Sequence, residues 1–314
     1  MARSTDTVEL MSPSWDPMRI ERDNYEREEE PMGTKEKFWF TPSGDDRPWL
    51  FKLARERDGM VRGEDWAEWI VHHLSTLLGV PTATVRPAIW GEQRGIVSRS
   101  ILRGPGDELV HGNSVLFGHD PSYDQQAQRE NPGYKVATVR SALTGVLSPE
   151  GEEALRDLDG FDVWAGYLML DAWTAGRDRH HQNWALVRAS AERRLAPSFD
   201  HGNALGFAET DKHRSALLSS DSRMGRWLDR GTSHHFAGRP SLVDLAVESI
   251  RLASTSAAAH WIARLEAVDQ NAVSDIVHAV PEGIMSDVTR TFIIRLLDAN
   301  RRRVLDGYRV AQPS

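Results

Sequence analysis

The chain has 314 residues, of which 46 are acidic and 38 basic, with a formal net charge of −8 and 40% hydrophobic residues. This balance is typical of a soluble globular protein and excludes a general surface for nucleic acid or another polyanion. The absence of cysteine excludes disulfide and thiolate chemistry and fits a cytoplasmic protein. Neither an apolar leader nor a run of about 18 apolar residues occurs, so we expect no membrane partner.

The first third of the chain reads as a charged arm followed by a small β-rich unit. Residues 1–32 are rich in Ser, Thr, Pro and charge, which predicts a partly disordered N-terminal extension. Short apolar runs bounded by turn residues predict strands. These strands lie at 33–40, 49–54, 80–90 and 93–102.

Lys52 stands in the middle of an otherwise apolar predicted strand. Period-two alternation places Leu50 and Lys52 on one face of that strand and Phe51 on the other. Burying a lysine is costly unless an anionic group meets it. Two interpretations remain open: a lysine at a strand end that reaches water, or a lysine that binds the α- and β-phosphates of ATP and pairs with a carboxylate.

A helix over residues 64–78 is predicted from its apolar stripe and from Gly79, which is followed by a proline. Glu64 and Glu68 both lie in this helix and are rival candidates for the carboxylate partner of Lys52. The next break in the predicted secondary structure is the Gly-Pro-Gly segment at 104–106. It predicts a hinge between two lobes.

The rest of the chain predicts a mainly helical unit. Residues 107–134 are polar and predict a long connection, and Ser148 predicts the cap of a helix that leads to the next polar loop. Later apolar stripes predict helices at 241–253, 256–267, 271–279 and 287–307. The sequence therefore predicts an α+β fold with a β-rich N-lobe and a helical C-lobe.

Three polar residues in this unit have a spacing suited to phosphoryl transfer. Asn183 follows Asp178 by five residues, and Asp200 ends a later apolar run. Such chemistry needs a carboxylate that orients the hydroxyl nucleophile and oxygen ligands for the Mg²⁺ that neutralises the triphosphate. We predict Asp178 as the catalytic carboxylate, with Asn183 and Asp200 as metal ligands. Strands at 184–187 and 195–199 predict a hairpin that returns Asp200 beside Asn183.

Two other interpretations of this stretch have to be weighed. Loop Asp and Asn residues commonly form turns and caps, so the spacing alone also fits a structural role. His180, His181 and His201 raise the possibility of a zinc hydrolase, but neither a cysteine nor an H-E-x-x-H helix accompanies them. A pseudokinase, which binds nucleotide without transferring phosphate, should lack one of the phosphate, acceptor or metal residues. All of these residues are present.

The stretch GRDRHHQN at 176–183, followed by LAPSFDHG at 195–202, resembles the catalytic core of HipA-like kinases. Its D-R-H-x-x-N element is also similar to that of phosphatidylinositol kinases. The positions in register are Asp171, Asp178, His180, Asn183 and Asp200. Gly176 departs from the pattern, because HipA-like proteins usually have Asn there, and this makes the loop more similar to the lipid kinases.

The resemblance extends to the N-terminal third. A G-x-x-E-K loop implies nucleotide binding by Gly33, Thr34, Lys35, Glu36 and Lys37. The position of Glu68, ten residues before the predicted helix ends at Leu78, implies that it pairs with Lys52, although Ala67 replaces the usual Asn. Glu30 stands where the family can carry an autophosphorylated serine, so regulation by that route is not implied.

The resemblance, which covers roughly residues 33 to 310, implies a two-lobe protein-kinase-like fold with an N-lobe at 33–104 and a C-lobe at 105–314. It implies ATP- and Mg²⁺-dependent phosphoryl transfer to a hydroxyl, most simply of Ser or Thr in a protein. A small-molecule or lipid kinase would use the same catalytic residues. The chain largely lacks the extra subdomain through which HipA binds its antitoxin, so the resemblance does not support an antitoxin partner, and we expect no direct contact with nucleic acid.

Overall fold

The computed structural model describes residues 13–21, 28–29, 37–57, 60–190 and 192–310. The strands in these ranges are β1 Met18–Ile20, β2 Glu28–Glu29, β3 Lys37–Phe40, β4 Trp49–Leu53, β5 Glu56–Arg57, β6 Met60–Val61, β7 Val85–Trp90, β8 Gln93–Arg99, β9 Asp107–His111, β10 Ala185–Ala189 and β11 Glu192–Leu195. The helices are α1 Glu64–Leu78, α2 Gly112–His119, α3 Val136–Ala142, α4 Gly160–Thr174, α5 Asp211–Leu218, α6 Asp221–Asp229, α7 Leu242–Leu252, α8 Thr255–Glu266, α9 Gln270–His278 and α10 Asp287–Val310. A short 3₁₀ helix spans Glu153–Leu155.

The N-terminal part is built on a six-stranded sheet with the order β1-β7-β8-β4-β3-β2. Strands β1 and β2 belong to the arm that precedes residue 33, so part of the predicted extension joins the sheet. β1 forms a strand because its apolar and polar residues alternate, and Ile20 is buried in the same cluster as Phe51 and Trp90. β1 runs parallel to β7.

The two faces of β4 differ as the period-two pattern predicts. Trp49 and Phe51 are buried on one face against the aromatic side chains of neighbouring strands. Lys52 lies on the opposite face, which is the face that α1 covers. Phe51 is the centre of the aromatic side: its ring lies 5.1 Å from that of Phe38 and 5.9 Å from that of Trp90. The placement of Lys52 follows from local alternation and needs no long-range contact to explain it.

Helix α1 spans Glu64–Leu78, as its apolar stripe predicts, and ends at Gly79 with a left-handed φ of 71°. The segment after it pairs with the chain just before Asp200. The Ala83 amide donates to the Ser198 carbonyl at 2.8 Å, and the Ser198 amide donates to the Pro81 carbonyl at 2.9 Å. These backbone bonds join the sheet-rich part to the helical part next to Asp200.

Helix α4 forms the centre of the helical part, and all fifteen of its residues are buried. Asp159 caps its N-terminus by accepting a hydrogen bond from the Asp162 amide. The indole of Trp173 donates to the Leu297 carbonyl at 3.1 Å, which ties α4 to α10. The four predicted C-terminal helices are confirmed as α7 to α10. The helices within the described ranges are all too short or too polar to cross a bilayer.

Two sequence predictions about the connections are wrong. The predicted loop at 107–134 contains β9 and α2, because β9 pairs with β10 to make a three-stranded sheet. The helix expected to start at Ser148 begins instead at Gly160. Leu147 is held extended, since its amide donates to the Arg193 carbonyl at 3.0 Å and its carbonyl accepts from the Leu195 amide at 2.9 Å. The Gly-Pro-Gly segment lies between β8 and β9, and its role as a hinge stays a prediction.

Candidate active site

The loop after α4 is held in place by a buried ion pair. Asp171, in the last turn of α4, accepts two hydrogen bonds from Arg179, one from Nε at 2.7 Å and one from Nη2 at 2.8 Å. The remaining Nη1 of Arg179 donates to the Asn183 carbonyl at 2.7 Å. Both charged side chains are almost completely buried, with exposed fractions of 5% for Arg179 and 6% for Asp171. The loop is therefore fastened at both ends by one guanidinium group.

These bonds make Asp171 a brace for the loop. The part played by Arg179 was missed by the sequence reasoning. A signal for it did exist, because a buried carboxylate at the end of an apolar helix requires a nearby cation. Arg179 lies next to Asp178 in the same loop, eight residues after Asp171.

Asp178 lies on this loop with its carboxylate 39% exposed. Its Oδ1 accepts a hydrogen bond from Nε2 of His235 at 2.8 Å. Burial opposes its ionisation, but the hydrogen bond from His235 and the charges of His180 and His235 hold the pKa of Asp178 below its ordinary value. Asp178 is therefore ionised near neutral pH and can accept a hydrogen bond from a hydroxyl group.

Asn183 and Asp200 lie beside Asp178, and the three side chains line the same small cavity. The Asn183 side-chain nitrogen donates to the Asp178 carbonyl at 2.6 Å, so the amide oxygen is its atom suited to a metal ion. Asp200 has a left-handed φ of 62°, a conformation that Asp tolerates better than most residues. Carboxylate and amide oxygens at one place are the donor set that Mg²⁺ prefers, so these residues fit that ion.

Lys52 contacts Asp200 from the sheet. Its Nζ donates to Asp200 Oδ1 at 2.9 Å and lies 3.5 Å from Glu68 Oε1. Burial alone would lower the pKa of Lys52, but the charges of Asp200 and Glu68 raise it above its ordinary value. The lysine is therefore a permanent cation, held by one carboxylate from α1 and one from the segment after β11.

The choice between the two glutamates of α1 is decided by their partners. Glu64 accepts hydrogen bonds from the Arg55 guanidinium, the shortest at 2.7 Å. Glu68 is the glutamate next to Lys52. Gly202 explains how α1 approaches so closely, because a Cβ there would lie 3.1 Å from the Glu64 carbonyl and 3.5 Å from Glu68 Oε2. A glycine after Asp200 thus lets the two parts of the site meet.

The phosphate loop predicted from Gly33 to Glu36 lies outside the described residues. Lys37 begins β3, and its partner in the antiparallel pairing with β4 is Lys52. Residues directly opposite each other in antiparallel strands project from the same face of the sheet. Both lysines therefore belong to the face that looks toward Asp200.

The histidines near this cavity do not form a zinc centre. His181 Nδ1 shares a hydrogen bond of 2.7 Å with the Tyr123 hydroxyl. His201 is buried, and burial, with the nearby Arg179 charge, keeps its pKa well below the ordinary value, so it is neutral. Within the described ranges, no group of three His, Cys, Asp or Glu side chains is arranged to hold a metal ion. The zinc hydrolase interpretation thus gains no support.

If Lys52 binds the phosphates of ATP, as the sequence predicts, its replacement by Ala is expected to weaken ATP binding by about 10- to 100-fold, which corresponds to the loss of one charged hydrogen bond. The physical reason is that the variant loses the cation that Asp200 and Glu68 hold in place. ATP binding is measured by titration calorimetry, with Lys135→Ala, an exposed lysine before α3, as the control. Equal ATP affinity in the two variants would contradict a phosphate-binding role.

Solved structures of kinases share the fold of this chain. The crystal structure of the proinflammatory kinase CtkA of Helicobacter pylori superposes with a TM-score of 0.72 at 14% identity, covering 95% of this chain and 100% of that one. HipA of Shewanella oneidensis, solved with HipB and its operator DNA, gives 0.52 at 12% identity over 90% of this chain and 67% of HipA. No protein-family model matches the chain, and no curated protein matches it significantly. The chain therefore has a HipA-like, two-lobe protein-kinase-like fold.

Proposed function

We propose that this protein is a phosphotransferase that uses ATP and Mg²⁺ to phosphorylate a hydroxyl group. The observation that carries the proposal is that five side chains lie together. Lys52 contacts Glu68 and Asp200, and Asp200 lines one cavity with Asp178 and Asn183. These residues come from α1, a sheet strand and two loops of the helical part. Separate elements thus supply, at one place, a cation for phosphates, oxygen ligands for a metal and a carboxylate for the acceptor.

Each residue has a distinct part in this proposal. Lys52, oriented by Glu68, binds the α- and β-phosphates, and Asp200 and Asn183 hold the metal. Bound Mg²⁺ supplies positive charge against the phosphate oxygens. Asp178 accepts a hydrogen bond from the acceptor hydroxyl and takes its proton during transfer. Lys52 also donates to Asp200, which ties the phosphate-binding cation to the metal site.

The acceptor that we propose is a Ser or Thr hydroxyl of a protein in the cytoplasm. The exposure of Asp178, at 39% of its side chain, leaves it accessible to a hydroxyl on the surface of a protein. Gly176 supports a rival acceptor, because the loop is similar in this respect to lipid kinases. Phosphoryl chemistry does not encode the acceptor, so only the acceptor assay separates the two classes.

The test is incubation with γ-labelled ATP and Mg²⁺, in parallel with a protein extract and with a panel of metabolites and lipids. Label on protein Ser or Thr supports the proposed acceptor, and label confined to the small-molecule panel replaces it with the rival. Asp178→Asn is the control in every reaction. If neither arm takes label and ATP with Mg²⁺ leaves the melting temperature unchanged, the proposed function is wrong.

The metal ligands give a separate prediction. Asn183→Ala and Asp200→Ala are each expected to remove most of the additional stabilisation that Mg²⁺ gives to the ATP complex, because each loses an oxygen ligand. The loss is expected to be larger for Asp200, since it is charged. Melting temperatures are measured without ligand, with ATP and with ATP plus Mg²⁺. Asp306→Ala, an exposed residue of α10, is the control, and full Mg²⁺ dependence in the Asp200 variant would overturn the metal site.

A further inference from the structure

His235 joins Asp178 to a part of the chain that lies 57 residues further on. It belongs to the segment between α6 and α7, and its side chain is 9% exposed. Both ring nitrogens are engaged: Nε2 lies 2.8 Å from Asp178 Oδ1, and Nδ1 is bonded to the Gln128 backbone carbonyl. One buried imidazole therefore connects the carboxylate to the backbone of another loop.

The chemistry of the two partners fixes the direction of both hydrogen bonds. A backbone carbonyl can only accept, so Nδ1 of His235 must donate to Gln128. The ionised Asp178 carboxylate also only accepts, so Nε2 donates as well. A ring bonded at both ends cannot turn without losing a bond. Asp178 Oδ1 is thus held at a fixed place, and Oδ2 is the oxygen left for the acceptor hydroxyl.

The backbone on both sides of His235 is fixed independently of Asp178. The Glu130 amide donates to the His234 carbonyl at 3.0 Å, and the Asn131 amide donates to the His235 carbonyl at 3.1 Å. The His235 amide donates to Ser233 Oγ at 3.2 Å. Two loops are therefore joined to each other by main-chain bonds before they reach the carboxylate. This arrangement is the kind of support that holds a catalytic group in a productive geometry.

We propose that His235 is a positioning residue that orients Asp178 for the acceptor, an inference that rests on the proposed function. In the transfer step, the acceptor O–H bond breaks and its proton passes to Asp178. The acceptor oxygen forms a bond to the γ-phosphorus, and the bond from that phosphorus to the bridging oxygen breaks, leaving its electron pair on ADP. His235 neither gives nor takes a proton in this step and acts only through its hydrogen bond to Asp178.

Two isosteric substitutions separate the two bonds of the imidazole. His235→Gln places an amide nitrogen near the position of Nε2 and can still donate to Asp178. His235→Asn places its amide nitrogen near the position of Nδ1 and keeps only the bond to Gln128. His235→Asn is expected to lower kcat by about 10- to 100-fold with an unchanged KM for ATP, as misplacement of a catalytic group does. His235→Gln is expected to keep about tenfold more kcat than His235→Asn.

The experiment measures kcat, KM for ATP and melting temperature for both variants, for Asp178→Asn and for the double variant Asp178→Asn/His235→Asn. If His235 acts through Asp178, the double variant loses no more activity than Asp178→Asn alone. Equal kcat in the Gln and Asn variants, or additive losses in the double variant, would overturn the proposal and leave His235 a structural residue. A wild-type protein that transfers no phosphate would overturn the proposed function and this role with it, whereas active wild type with an impaired Asp178→Asn and a normal His235→Asn would overturn this role alone.

Discussion

Asp178→Asn is expected to lower phosphoryl transfer by about 10²- to 10⁴-fold while ATP affinity stays nearly constant. The amide keeps the shape of the side chain but loses the charge and almost all of the basicity of the carboxylate. The hydrogen bond from His235 can still be accepted by the amide oxygen, and the Asn183 side chain bonds to the backbone carbonyl of Asp178, which the substitution retains. The loss therefore falls on the transition state and not on the loop.

Both quantities in this prediction must come from the same variant. Single-turnover transfer and equilibrium ATP binding are measured on Asp178→Asn beside the wild type. Asp306→Asn, on the exposed surface of α10, controls for the loss of one negative charge. Loss of ATP binding with normal turnover per bound nucleotide would make Asp178 a metal ligand or a brace, and the general-base role would then belong to another group.

Local patterns in the sequence predicted the elements that carry this site. The face of β4 on which Lys52 lies and the apolar stripe of α1 each depend on neighbours within a few residues. The hairpin before Asp200 is also present, but the bounds predicted for its second strand, 195–199, are wrong: β11 spans Glu192–Leu195, because these residues pair with β10. A helix stripe is visible at period 3.6, and a strand face at period 2. For such elements the sequence pattern and the final burial agree.

The pattern could not choose between Glu64 and Glu68, which lie four residues apart on one helix. That choice depends on the position of the Arg55 side chain. Its guanidinium binds Glu64, and Glu68 is the carboxylate near Lys52. A partner for one side chain is thus set by a neighbour in another element. Such pairings depend on tertiary packing, and they leave no periodic pattern in the sequence.

His235 shows the same limit over a longer distance. No spacing rule connects it to Asp178, because its placement depends on backbone bonds between the loops around Glu130 and His234. Strand β9 also escaped prediction, since its polar sequence becomes a strand through pairing with β10. In both cases a tertiary contact overrides weak local preference, as is common for edge strands and loops.

Asp171→Ala is expected to lower the free energy of unfolding by about 3–5 kcal/mol, the cost of breaking a buried ion pair by removing one partner. The guanidinium of Arg179 would remain buried, 5% exposed, with the Asn183 carbonyl as its remaining hydrogen-bond acceptor. Phosphoryl transfer should also fall, because the loop that carries Asp178 loses its attachment to α4. Denaturant unfolding of the two proteins measures the difference.

Two further variants show whether the loss in the free energy of unfolding comes from the unpaired charge of Arg179. Asp306→Ala removes one partner of an exposed pair with Arg309 and is expected to change stability little. Asp171→Leu combined with Arg179→Met removes both buried charges, and it is expected to be more stable than Asp171→Ala because no uncompensated cation remains. If the double variant were as unstable as Asp171→Ala, the loss would come from altered packing around α4. If Asp171→Ala unfolded like the wild type, the ion pair would contribute no net stability, and the attachment of the catalytic loop would have to rest on other contacts of α4.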